Sequence, residues 1–425
     1  MGNRKLKVIQ FGEGGFLRGF VDWMLQSVNE KTDFNGGVVV VQPIKNGMCD
    51  TLTEQGCVYT HMCRGVEGVD VKKIDVISRC VKPYDDFESY MALAENPDFR
   101  FIVSNTTEAG IAFSGEDKIT DTPASTFPGK LTQLLYKRFE LGLGGFVFLP
   151  CELIENNGTE LKSCILKYAD LWDLGQGFKN WIENDNIFTN TLVDRINTGY
   201  PREEKIDVGF DDKMLNTSEY FHLWVIDGYE GLFSELPFDK CGLNVILTKE
   251  LKKYRTIKVR ILNGSHTSMI PYALLRGVET VGDCLADPVM SAHLKACQEE
   301  IVCSLDMDKN ETEQYAMDVM TRFRNPYIRH MCQSIALNSV SKFKVRVLPS
   351  ILDYERKYGK TPKTLMFSFG KLIEFYKRGT PNDDPIATEK MQKGTVREIL
   401  ADVSLWGEDL TRFACEVEGY ANTQA

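Results

Sequence analysis

An apolar run at residues 6–11 passes without a spacer into Gly12-Glu13-Gly14-Gly15 and then into helical spacing over 15–28. This strand, glycine turn and helix constrain everything that can be built around them. Further short apolar runs predict strands at 38–41, 100–105 and 146–151, each separated from the next by enough chain for a crossover helix. That order specifies an α/β fold with a mostly parallel, doubly wound sheet of Rossmann type. Loose alternation over 69–80 predicts antiparallel additions to it. After about residue 248 the strand signals fade, and helices are predicted at 250–262, 288–305, 311–322, 326–339, 365–377 and 395–405. A chain of 425 residues is long for one core. We therefore expect a Rossmann-type dinucleotide-binding domain over 1–247, followed by a mostly α-helical substrate and catalytic domain over 248–425.

The glycine turn has a chemical reading. Gly12 permits the sharp turn, Gly14 lets backbone come close to a pyrophosphate, and a helix opening at Gly15 aims free N–H groups at it. Phe11, Gly12, Gly14, Gly15, Phe16 and Arg18 are the candidate cofactor contacts, with Arg18 adding charge. A plain helix-starting turn is the alternative, because Leu17 stands where the GxGxxG pattern has its third glycine. At the end of the second strand, Gln42 replaces the Asp or Glu that would hold an adenine ribose. No arginine for a 2′-phosphate stands there either, and Lys45 leaves both NAD and NADP open. Asn105, Thr106 and Glu108 follow a central strand, where small polar groups suit ribose or nicotinamide, or cap a helix. Cys151-Glu152 and Asn156-Asn157 after the next strand have the same standing.

Charge and cysteine usage narrow the class. The net charge of -10 comes without a basic run, so neither nucleic acid nor a membrane is an expected partner. A small acidic substrate remains compatible, since one placed arginine overrides a mean field. No apolar stretch of signal or membrane-spanning type is present, and a cytoplasmic location is expected. The 12 cysteines form no CxxC pair and read as reduced thiols. Cys57, His61 and Cys63 fall on alternate positions of one strand without a fourth ligand, so no metal site is expected.

The segment from Lys258 to His266 carries the acid–base candidates. Continued as an α-helix at about 100° per residue, it sets Asn263 about 140° and His266 about 80° around the axis from Lys258, and the three side chains are expected to share one face. Lysine there would exchange a proton with a substrate oxygen while amide and imidazole hold that oxygen. A surface lysine on an ordinary helix is the alternative.

Taken together, residues 12–18 (GEGGFLR), 190–195 (NTLVDR) and the Lys258-x4-Asn263-x2-His266 spacing resemble the polyol-specific long-chain dehydrogenase family, which includes mannitol dehydrogenases and uronate reductases. Residues 37–43 (GVVVVQP), 104–110 (SNTTEAG), 150–154 (PCELI) and 322–327 (RFRNPY) are most similar to its uronate-reducing members. The resemblance implies metal-independent hydride transfer between NAD(H) and a small sugar acid, the reversible reduction of tagaturonate to altronate, with Lys258 as general acid/base. It implies Asn263 and Asn190 as donors to the developing oxyanion and His266 as the group orienting substrate or lysine. Taken alone, Asn190 and Asp194-Arg195 read as a helix cap and an ion pair. Family mannitol dehydrogenases carry a glutamate three residues before the lysine, and Arg255 stands there in this chain. Arg255 is the candidate for a uronate carboxylate, or else a solvent-facing member of the charged run 249–255. Sibling readings are fructuronate reduction and mannitol-phosphate oxidation; a nucleotide sensor without turnover is the reading from another class.

Overall fold

Four consecutive valines suit a strand that is buried on both faces. In the computed structural model, which describes residues 4–107 and 109–422, Val38 to Val41 are all inaccessible and lie inside a six-stranded sheet. The first unit, up to Leu251, contains strands β1 (Lys5–Phe11), β2 (Gly36–Val41), β3 (Tyr59–Gly65), β4 (Gly68–Ile74), β5 (Ile77–Val81), β6 (Phe101–Ser104) and β7 (Val147–Pro150). It continues through β8 (Ile187–Phe188), β9 (Asn190–Asp194), β10 (Asn197–Gly199), β11 (Asn216–Ser218), β12 (Leu223–Asp227) and β13 (Val245–Leu247). The main sheet runs β5-β2-β1-β6-β7-β8 and every pairing in it is parallel. Strand order reverses between β1 and β6, the switch point where such sheets bind ligands.

Alternation along each strand divides the core in two. Val8, Val38, Val40, Val103 and Leu149 face the helices at Gly15–Gly19 and Val21–Lys31, whereas Ile9, Phe11, Val39, Val41, Ile102 and Phe148 face those at Phe127–Glu140, Asn157–Leu171 and Gly175–Asn184. The predicted helix over 15–28 is broken at Phe20, whose φ of -122° and ψ of -72° leave the helical region. The carboxamides of Asn197 and Asn216 press on Gly15 and Gly19, and Asn216 donates to the Gly15 carbonyl at 2.8 Å. Glycines for close packing therefore stand at 15 and 19, not at position 17.

The run predicted as antiparallel additions over 69–80 splits between two sheets. β4 pairs antiparallel with β3 in a second sheet ordered β10-β11-β3-β4, while β5 extends the main sheet in parallel beside β2. Strands β13, β12 and β9 form a third sheet.

The second unit, from Lys252, contains no strand among its described residues. The division falls within the first turn of the helix Leu251–Ile257. Its centre is the helix Gly264–Leu275, buried at every position from Gly264 to Ala273. Helices Pro288–Ser304, Ser339–Arg346 and Lys363–Arg378 pack around it. Two predicted helices are corrected. Over 326–338 only Cys332–Ile335 is helical: Asn325 accepts from the Tyr327 N–H, and backbone bonds of His330 and Cys332 to Val281 and Glu279 hold the run before Cys332 out of a helix. Over 395–405, Asp402 ends one helix at Ala401 and caps the next by accepting from Ser404. No helix among the described residues is long and apolar enough to cross a membrane.

Candidate active site

The glycine turn lies at the switch point. Gly12 adopts φ +116°, and a Cβ there would come within 3.1 Å of the Asn105 carbonyl oxygen at the end of β6. Only glycine combines that torsion with that approach. A Cβ on Gly14 would meet nothing within 4 Å, so its backbone faces open space at the start of the Gly15–Gly19 helix. Gln10, at the end of β1, ties the turn down by donating to the Gly12 carbonyl at 3.1 Å and to Asp22 at 3.2 Å. These features fit a pyrophosphate drawn close to main chain.

Of the other expected cofactor contacts, Arg18, Phe11 and Phe16 are engaged with neighbouring groups. Arg18 is buried, donates to the Glu13 and Met214 carbonyls and lies 5.1 Å from the Tyr59 ring centroid, so its charge is spent inside the protein and does not reach a phosphate. Phe11 is a core residue packed 4.9 Å from Phe127, and only its main chain reaches the turn, accepting from the Asn105 N–H. Phe16 stacks on Phe20 at 5.0 Å. Glu108 lies outside the described residues. Gln42 turns back, donating to the Ile44 and Lys45 carbonyls and accepting from Cys49, which shapes the loop after β2. Lys45 stands exposed over Tyr84 at 5.6 Å.

The loop after β6 is organised by Glu152. Its carboxylate accepts from Ser104 Oγ, from the Thr106 N–H and from Thr106 Oγ, each at 3.0 Å. Burial raises its pKa, while those hydrogen bonds hold it down. Asn105 donates to the Cys151 carbonyl at 2.8 Å. Spacing after two successive strands pointed to both loops; their joining through one buried carboxylate was not legible.

Asn190 opens β9 opposite Asp227. Its Oδ1 accepts from the Thr159 N–H at 3.0 Å, so the amide satisfies the first turn of the Asn157–Leu171 helix and is fixed in orientation. A cavity of about 760 Å³ adjoins it, with Asp227, Gly228, Tyr229, Thr248 and Lys249 in its lining. Arg195 makes no ion pair among the described residues: it donates to the Gly19 and Glu219 carbonyls and lies over Trp23 at 4.2 Å. His61 bonds Ser218 at 2.8 Å and Cys63 receives Arg195 at 2.9 Å, so the alternate residues of β3 are engaged in packing.

The acid–base segment departs from the α-helix assumed for it. Lys258–Asn263 is π-helical, between the α-helices Leu251–Ile257 and Gly264–Leu275. Gly264 N–H donates to the Val259 carbonyl, five residues back. A π turn takes up more residues than an α turn, so a residue and its fifth successor are related much as i and i+4 are in an α-helix. Lys258 and Asn263 thus lie closer around the axis than in an α-helix, which would have held them about 140° apart. Arg260 anchors this turn by donating to Ser350 at 2.6 Å, Ser304 at 3.2 Å and Asp353 at 2.9 Å. Gly264 lets the Arg346 carbonyl approach, since a Cβ there would lie 3.1 Å from it.

His266 is 7% exposed, stacked on Phe323 at 4.2 Å and edge-on to His330 at 5.0 Å. Burial, then His330, Arg322, Arg346 and Lys342, hold its pKa well below the ordinary value, so the ring is neutral. Its Nε2 has no hydrogen-bond partner among the described residues. Arg255 sits half-buried on Leu251–Ile257.

The two units match two successive family models: residues 6–240 the mannitol dehydrogenase Rossmann domain, and residues 250–423 the mannitol dehydrogenase C-terminal domain. By class the protein is a polyol or sugar-acid dehydrogenase. It is 43% identical to the altronate oxidoreductase of Yersinia enterocolitica, over 95% of this chain and 91% of that one. It is 44% identical to the altronate oxidoreductase of Bacillus subtilis, over 95% and 89%. D-sorbitol dehydrogenase in substrate-free form has the same fold, with a TM-score of 0.83 at 20% identity over 97% of this chain and 92% of that one. Mannitol 2-dehydrogenase of Pseudomonas fluorescens, solved with NAD and D-mannitol, gives 0.71 at 20% identity over 99% and 92%. The chain belongs to the mannitol dehydrogenase family.

Proposed function

We propose that this protein catalyses the reversible, NAD(H)-dependent reduction of tagaturonate to altronate, with Lys258 as the general acid/base. The observation that carries the reading is the π turn that brings Lys258 and Asn263 to one side of the helix, one turn before a buried, neutral His266 whose Nε2 has no partner among the described residues. The similarity to altronate oxidoreductases over nearly the whole chain supports the substrate. The nucleotide in the complex of Pseudomonas fluorescens mannitol 2-dehydrogenase supports the cofactor.

Gly12, Gly14 and Gly15 are proposed to hold the pyrophosphate, and Asn105 and Thr106 the nicotinamide riboside. NAD(H), when bound, supplies the hydride to the keto carbon or takes it back from the alcohol. Lys258 gives a proton to the keto oxygen in reduction and removes it in oxidation. Free lysine titrates near 10.4, so its surroundings must favour the neutral amine for the oxidative direction. The Asn263 carboxamide makes no capping bond to its own helix, which leaves it to donate to the oxygen as negative charge develops. Asn190, oriented by Thr159, is proposed as a second donor. His266 offers a neutral imidazole to a substrate hydroxyl.

NADH consumption with tagaturonate, fructuronate and fructose 6-phosphate tests the assignment. The highest kcat/KM is expected on tagaturonate. Preference for fructuronate or the phosphate would transfer the chain to a sibling activity, and NADH binding without turnover on any of them would mark a sensor.

A further inference from the structure

Arg346 closes the helix Ser339–Arg346, which packs on the π turn and on the Gly264–Leu275 helix, and its carbonyl lies against Gly264. Arg346 is half-buried, and its guanidinium has no hydrogen bond or ion pair among the described residues; burial lowers its pKa. One turn earlier on the same helix stands Lys342, also half-buried, its Nζ on the Ile335 carbonyl at 2.9 Å and its charge opposed by Arg346 and favoured by Asp383. Like charges four residues apart repel, and a buried guanidinium without an acceptor is costly. Both are close enough to His266 to disfavour its protonation, as is the buried Arg322. The arrangement is therefore a concentration of positive charge around an imidazole with a vacant, buried nitrogen. A bound anion would relieve it.

We propose that Arg346, assisted by Lys342, receives the carboxylate of the sugar acid, while His266 Nε2 meets a neighbouring hydroxyl. This rests on the functional reading above and deepens it, by assigning the group that distinguishes a uronate from a neutral ketose. It places on Arg346 the role for which Arg255 is the other candidate. A guanidinium can bind a carboxylate through two parallel N–H donors, whereas an ammonium acts as a point charge. Arg346 is thus a specificity residue, and the chemistry at Lys258 does not depend on it.

The test compares Arg346→Gln, Arg346→Lys and Arg255→Ala with the unaltered enzyme, using NADH and tagaturonate, with tagatose as the neutral counterpart read as slow substrate or inhibitor. For Arg346→Gln we expect KM for tagaturonate to rise roughly 30- to 100-fold, the loss typical of a charge-assisted hydrogen bond. The kcat, the affinity for NADH and the affinity for tagatose should stay within about threefold. Arg346→Lys should recover part of the KM. An unchanged KM in Arg346→Gln overturns the subsite, as does a parallel loss for uronate and neutral ketose, the result of a structural arginine at a helix terminus. A uronate-selective loss confined to Arg255→Ala overturns it as well. Unaltered enzyme that reduces no ketouronate overturns the functional reading, and the subsite with it.

Discussion

Lys258 and Asn263 open and close a single π-helical turn, so the lysine and the amide five residues later stand on one face of an otherwise α-helical run. Such turns interrupt α-helices rarely and often at functional sites. Here Arg260, from within the turn, is tied to Ser304, Ser350 and Asp353. Three bonds to neighbouring helices hold a backbone form that local propensity alone would not choose.

Gly12 gives the first prediction. Gly12→Ala puts a Cβ at φ +116° and within 3.1 Å of the Asn105 carbonyl. A strained residue of this kind costs about 1–3 kcal/mol. The loop must shift to accept it, so NADH affinity, read by nucleotide fluorescence, should fall at least about tenfold while the second unit keeps its melting behaviour. Unchanged affinity would remove the turn from the nucleotide site.

Glu152 gives the second. Removing its carboxylate leaves Ser104 Oγ and two Thr106 donors without their acceptor in a buried place, at about 1–3 kcal/mol for each group left unsatisfied. Glu152→Ala should therefore weaken NADH binding by about tenfold or more. Glu152→Gln keeps one acceptor oxygen for Thr106 and should stay within about threefold. Equal effects of the two would mean that the acceptor bonds do not shape this loop.

Asp22 gives a pH dependence. Its carboxyl is completely buried under the glycine turn, and burial raises its pKa to about 7, against the opposing pull of Gln10 and Arg18. A folded-state pKa above the unfolded one gives stability that is complete below the ordinary carboxylate range and is lost as pH rises through about 7. A shift of this size is worth roughly 4 kcal/mol. Asp22→Asn can still accept from Gln10 and carries no charge. Its melting temperature should exceed that of the unaltered protein at pH 8 and match it within a degree or two at pH 5. Parallel curves for both proteins would contradict the buried-carboxyl account.

The parts legible in the sequence were those with a single physical solution. A run of four valines has to be covered on both faces, and a glycine turn directly after a first strand has few other places in an α/β sheet. Other features depended on partners distant in sequence. Arg18 reads as a phosphate ligand until Met214 and Tyr59 are seen to engage it. The residues after Pro326 have helical spacing, but backbone bonds to Glu279 and Val281 decide their form. At 100° per residue Lys258, Asn263 and His266 are already expected on one broad face, but the π turn that narrows the angle between the first two is not. Arg346 gave no signal at all, because an unpaired arginine is recognised only by knowing what surrounds it.

Lys258 bears the central claim, and its replacement by alanine tests it most directly. With saturating NADH and tagaturonate, Lys258→Ala should lower kcat by about a hundredfold or more, in the range of a lost general acid/base, while NADH affinity and the melting temperature stay near those of the unaltered enzyme. A small primary amine added to the medium should restore part of the rate. Turnover of tagaturonate that survives the substitution within a few-fold would contradict the assignment of Lys258 as the proton donor.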